Sequence, residues 1–193
     1  MIPGIILAAG ESRRMRRPKA LLRLAPEGTT FVAALIRSLT DGGVDDVLVV
    51  GRPGDAALRE EVERAGARFV ENLHHDLGQL SSLLAGLNIA DRPGVTGVLV
   101  TPVDAPRIAV GSIAALIHAF RESGAPVVRP VHQGRHGHPV IFSRAVFDAL
   151  RSADFSVGAK AVVRAQGDRV LNVEVADSAV LEDIDTPDDY GKM

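Results

Sequence analysis

Short, nearly unbroken apolar runs alternate along this chain with segments whose apolar residues recur every three or four positions. GIILAA (4–9), DVLVVG (46–51), ARFVEN (67–72) and GVLVTPVD (97–104) predict strands. The first, second and fourth are almost continuously apolar, as expected where both faces of a parallel sheet are covered. Phe31, Leu35, Ile36 and Leu39 fall on one helical face that stops at Gly42–Gly43. Leu80, Leu83, Leu84 and Leu87 make a second such face, and Ile113, Leu116, Ile117 and Phe120 a third. Strand and helix in alternation predict right-handed crossovers and an α/β fold with a mostly parallel central sheet.

After about residue 125 the rhythm changes. APVVRPV (125–131) and GHPVIFS (137–143) read as strands around the polar turn HQGRHG, either an antiparallel excursion or a cover over a ligand crevice. Ser143 is placed to cap a helix through Leu150, and Ser156 another towards Ala165, before a last strand, RVLNVEV (169–175). No repeat or linker divides the chain, so 1–193 is expected to be one domain.

Composition narrows the function. The chain is 46% hydrophobic and 24% charged with a net charge of −2, typical of a folded globular protein. Aromatic residues make up 4% and Trp is absent, which gives a nucleic-acid stacking platform little material. The absence of Cys excludes disulfides, thiolate metal sites and a Cys nucleophile, and suits a reducing cytoplasm. No signal peptide is expected at MIPGIILAAG and no apolar run reaches membrane-spanning length, so the expected setting is cytoplasmic, without membrane or nucleic acid as partner.

Against this balanced background LAAGESRRMRRPK (7–19) concentrates positive charge in the first loop. Ligands of open α/β sheets bind beyond the carboxyl ends of the strands. There the small residues Ala8, Ala9 and Gly10 let anionic oxygens approach backbone N–H groups, with Arg14 and Lys19 to neutralise a polyphosphate. The loop matches neither G-x-x-x-x-G-K-[ST] nor G-x-G-x-x-G. Asp104, at the end of the fourth strand, suits a Mg²⁺ ligand beside phosphates, and Asp183 or Asp185 in LEDIDTPDDY (181–190) can add a second carboxylate. The six His residues show no H-E-x-x-H spacing, and no G-x-S-x-G elbow supports a serine hydrolase.

Taken together, LAAGESRRM with Lys19, LGQLSSLLAGL (77–87), TPVDAP (101–106), GHPVIF (137–142) and DIDTPDDY (183–190) resemble the molybdopterin nucleotidyltransferase family, in the family's order and over nearly the whole chain. The resemblance implies a Rossmann-like, GT-A-type domain that binds a nucleoside triphosphate with Mg²⁺. It implies transfer of a nucleoside monophosphate to the terminal phosphate of a pterin acceptor, with pyrophosphate released. The Leu-Ala-Ala-Gly of the first loop resembles the cytidylyl type and so implies CTP; GTP, a sugar phosphate as acceptor, or a GT-A glycosyltransferase are the alternatives.

By the same resemblance Leu7, Ala8, Ala9, Gly10 and Ser12 form the nucleotide loop. Arg14 holds the β- and γ-phosphates, and Lys19 stabilises charge on the α-phosphate. Gly78, Ser81 and Ser82 line the base and ribose, Asp104 and Asp185 hold the metal, and His138 sits near the acceptor. The implied partners are the phosphorylated pterin and a molybdoenzyme or its maturation chaperone. Two positions depart from the family pattern: Arg16 where Gly is common, and Lys160 in a segment that often reads Gly-Ala-Arg.

Overall fold

A computed structural model describes residues 1–11, 14–15, 17–25 and 28–192. Its eight strands are β1 (Gly4–Leu7), β2 (Val47–Gly51), β3 (Arg68–Glu71), β4 (Gly97–Pro102), β5 (Val127–His132), β6 (Arg135–His136), β7 (Val140–Ser143) and β8 (Val170–Glu174). They form one mixed sheet in the order β3-β2-β1-β4-β7-β5-β6, with β8 also paired to β5. The run β3-β2-β1-β4 is parallel throughout, as is β5 with β8, whereas β7 is antiparallel to both β4 and β5. The region after residue 125 is therefore the antiparallel excursion. Gln133 (φ 48°) and Gly134 (φ 74°) make the tight reversal between β5 and β6, because a two-residue hairpin turn calls for positive φ at both positions.

The helices are α1 (Phe31–Asp41), α2 (Ala56–Arg64), α3 (Gln79–Ala90), α4 (Val110–Ser123), α5 (Phe147–Arg151), α6 (Ala159–Gln166) and α7 (Pro187–Gly191). Alternate strand residues enter two cores, which is why the central runs are apolar at every position. Ile6, Val49 and Leu99 pack with α1, α2 and α4, while Ile5, Leu48, Val50, Val98 and Val100 pack with α3, α5 and α6. A methyl group on Gly86 would lie 2.6 Å from Ile5 Cγ2, so α3 rests directly on β1.

Three local expectations need correction. The helix α2 was not expected, because it buries only Leu58 and Val62, too thin a stripe to stand out beside its charged residues. Ser156 does not cap α6; it donates to Asp154 Oδ1 at 2.7 Å, and the cap position is Gly158. The strands β1 and β4 stop at Leu7 and Pro102, two residues short of the expected ends, which frees Ala8, Ala9, Val103 and Asp104 as loop.

Candidate functional site

The order β2-β1-β4 makes the flanks of β1 the point where strand order reverses, and a ligand crevice opens there beyond the carboxyl ends. Leu7 and Pro102 are register partners, so the loops that follow them leave the sheet side by side. A cavity of about 870 Å³ lies over them. Its lining includes Leu7, Ala8, Ala9, Gly10, Arg14, Lys19, Gly78, Ser82, Asp104 and Asp185, residues from four separated parts of the chain. A Cβ on Gly10 would meet nothing within 4 Å, which leaves this backbone open to a ligand.

The charged end of the cavity is organised around Lys19. Its side chain is only 10% exposed, and Nζ donates to Asp104 Oδ2 at 3.2 Å and to Asp185 Oδ1. Arg14 Nη2 lies 2.5 Å from the other oxygen of Asp185, with its own side chain 69% exposed. Asp185 comes from a position 166 residues after Lys19, and the chain delivers it by two devices. Ile184 N donates to Asp104 O at 2.9 Å and buries its side chain with Met15, Leu22 and Phe31. Thr186 and Asp189 then form a reciprocal capping box at α7, with Pro187 in its first turn. The acidic segment is thus pinned against the first loop.

Gly78 (φ 89°) forms the entry to α3, a conformation that a side chain would strain. Ser82 lines the cavity, whereas Ser81 does not. The Ser81 hydroxyl instead donates to Gly78 O at 2.7 Å and accepts from Asn72 Nδ2 at 2.8 Å. Asn72, 2% exposed, also donates to Ser82 Oγ at 3.0 Å and accepts from His74 N at 2.9 Å. Ser81 therefore shapes the turn, and Asn72 is its hub, a residue the sequence marked only as an Asn closing a strand. Arg52 also lines the cavity and was not expected; an Arg directly after an apolar strand carries no distinguishing signal.

His138 lies outside this cavity's lining. Burial pushes its imidazole below the ordinary value and Lys160 acts the same way, while Asp183 and Asp104 oppose them. Its Nδ1 is buried with no hydrogen-bond partner among the described residues. Desolvation raises the Asp183 carboxyl although the residue keeps an exposed edge, and the Asp104 charge raises it further. Ser12 and Arg16 lie outside the described residues.

No group of three or more His, Asp or Glu residues forms a metal cage among the described residues. Asp104 Oδ1 is nevertheless buried without a hydrogen-bond partner there, and Asp104 and Asp185 converge on one ammonium. That donor set fits Mg²⁺, which takes one or two carboxylates and completes its shell with water and phosphate oxygens.

A doubly covered sheet with this cavity at its switch point, and basic and acidic groups converging beside the first loop, is an arrangement suited to a phosphorylated ligand, and the comparisons make it that of a nucleotidyltransferase. The chain belongs to the family of the MobA-like NTP transferase domain, whose profile matches residues 4–170. Among curated relatives it is 30% identical over 199 residues to the purine catabolism protein PucB of Bacillus subtilis, covering 97% of this chain and 93% of that one. It is 34% identical over 128 residues to a probable molybdenum cofactor guanylyltransferase of Opitutus terrae, covering 66% and 60%. It is 27% identical over 187 residues to the molybdenum cofactor cytidylyltransferase of Escherichia coli, covering 96% and 92%. Among solved structures, Rv0371c of Mycobacterium tuberculosis in complex with manganese is 26% identical, covers 99% of this chain and 96% of that one, and superposes with a TM-score of 0.74. No helix among the described residues is long and apolar enough to cross a membrane.

Proposed function

We propose that this nucleotidyltransferase transfers CMP from CTP to the terminal phosphate of molybdopterin or the molybdenum cofactor and releases pyrophosphate, with Mg²⁺ held by Asp104 and Asp185. The observation that carries the reading is the bridge of Lys19 between Asp104 and Asp185 in the same cavity as Gly10, whose backbone has open space beside it. One buried cation and two carboxylates at the same end of a nucleotide-sized cavity match the charge pattern of a triphosphate with its metal.

In the reaction, an oxygen of the acceptor phosphate forms a bond to the α-phosphorus of CTP. The bond from that phosphorus to the bridging oxygen breaks, and pyrophosphate leaves with the electron pair. The nucleophile is already anionic at neutral pH, so the protein has no proton to remove. Its task is alignment and charge neutralisation.

The N–H groups of the first loop hold the phosphate oxygens, and Arg14, largely exposed, reaches the β- and γ-phosphates. Lys19 stabilises charge that grows around the α-phosphorus. Gly78 and Ser82 face the nucleoside, and His138 faces the acceptor. Bound Mg²⁺ supplies further neutralisation of the phosphate oxygens and orients the leaving group.

GTP is the competing donor, supported by the likeness to the Opitutus terrae protein. The Ala9 methyl, where a Gly would leave the loop bare, supports CTP by bounding the wall against which the base packs. Pyrophosphate release tests the chemistry: it is expected only when nucleotide, acceptor and Mg²⁺ are all present. Equal release without acceptor, or none with any nucleotide, contradicts the proposal.

A further inference from the structure

The first loop has no secondary structure of its own over Ala8–Gly10, yet it has to present its amides in a fixed direction if it is to hold phosphates. One side chain from the neighbouring strand grips it. Arg52, the residue after β2, donates from Nε to Ala9 O at 2.9 Å. Its Nη2 lies 3.7 Å from Glu11 Oε1, an ion pair just beyond hydrogen-bond length. That Nη2 is buried and has no hydrogen-bond partner among the described residues. A desolvated guanidinium N–H left unpaired is costly and calls for an explanation.

We propose that Arg52 is the positioning residue of the nucleotide loop, acting through the loop's backbone; this inference rests on the nucleotide reading above. The peptide unit is planar and trans, so its C=O and N–H point in opposite directions. Anchoring Ala9 O on Arg52 therefore fixes the direction of the Gly10 N–H, and the Glu11 carboxylate supplies a second hold two residues on. A planar guanidinium suits this work because Nε can hold the Ala9 carbonyl while Nη2, in the same rigid plane, lies beside the Glu11 charge.

The placement of Arg52 is itself fixed. Asn72 N donates to Gly51 O at 2.9 Å, and a Cβ on Gly51 would lie 2.5 Å from the Phe69 ring and 3.0 Å from Leu58 Cδ2. The close approach of β2 to Phe69 and Leu58 sets the height from which Arg52 reaches across to β1.

Binding of two probes, CTP and inorganic tripolyphosphate, to the full chain tests the inference. A residue that sets the phosphate-binding amides affects both probes, whereas a residue that reads the nucleoside affects CTP alone. Arg52→Met is expected to raise the Kd of both about tenfold, with Arg52→Lys recovering part of the loss for both. Glu11→Gln is expected to weaken both probes in the Arg52 background and to add little in Arg52→Met. A thermal melt accompanies each variant, and Arg52→Lys carries the comparison if Arg52→Met does not fold. Loss of CTP binding alone, or binding of both probes within twofold of wild type, overturns the inference while the nucleotide reading stands. Wild-type protein that binds neither probe overturns both.

Discussion

Lys19→Ala separates the ion-pairing role that the structure shows for this side chain from the catalytic role proposed for it. It removes a cation that is 10% exposed and leaves Asp104 and Asp185, 22% and 26% exposed, facing each other without their shared partner. Stripping one member from a fully buried ion pair costs about 3–5 kcal/mol. Here both carboxylates keep contact with water, and Arg14 still pairs with Asp185, so solvent screening brings the expected cost to about 1–2 kcal/mol. For a chain of this size that is a fall in Tm of about 2–8 °C. The loss to catalysis is larger. A preorganised cation where charge develops is worth roughly 10²–10³ in kcat, about 2.7–4 kcal/mol. Because the contact strengthens in the transition state, kcat falls more than KM for CTP rises. Added Mg²⁺ is expected to raise the Tm of Lys19→Ala more than that of wild type, since the metal replaces the lost countercharge. Steady-state pyrophosphate release with varied CTP, paired with melts at several Mg²⁺ concentrations, reads all three effects. A rise in KM with kcat unchanged would show that Lys19 only anchors the ground state and has no part in stabilising the transition state.

Asp104→Asn is expected to abolish nearly all Mg²⁺-dependent turnover while the melt stays close to wild type; near-normal turnover by folded protein removes Asp104 from the site. Ala9→Gly is expected to increase the share of GMP product in a CTP–GTP competition. Since Ala9 is only 4% exposed, the change belongs at the low end of shape discrimination, about 1 kcal/mol. Asp46 bears on stability. Burial pushes its carboxyl up, but hydrogen bonds and charge from Arg68 and Arg92 outweigh burial and hold it below the ordinary value. A depressed folded-state value means that this contribution is present above the unfolded value of about 4 and is lost as pH falls through the folded one. Asp46→Asn is accordingly expected to lower Tm by a few degrees at pH 7, with the gap to wild type closing below about pH 4.

The sheet was legible wherever burial on both faces imposes an unbroken apolar run, as in β1, β2 and β4, and the helices wherever a broad apolar face meets the sheet, as in α1, α3 and α4. α2 escaped because two buried residues a turn apart do not make a readable period. Ser156 misled because its hydroxyl competes for Asp154 within its own turn, a choice that depends on loop geometry and not on residue type. Of the residues that line the cavity, Ala8 to Gly10, Arg14, Lys19 and Asp104 stood out in the sequence by small size or by charge near a strand end. Residues that act through a neighbour did not. Arg52 and Asn72 support loops from adjacent elements, and only the strand order β3-β2-β1-β4 shows what they reach.

The cavity is proposed to join a cytidine nucleotide to a phosphorylated pterin. The most direct test of this presents CTP and GTP at equal concentration, with Mg²⁺ and molybdopterin or molybdenum cofactor as acceptor, and determines the mass of the product. A dominant CMP adduct of the acceptor, formed with an equal amount of pyrophosphate, is expected. A dominant GMP adduct, or no adduct of either nucleotide, would contradict it.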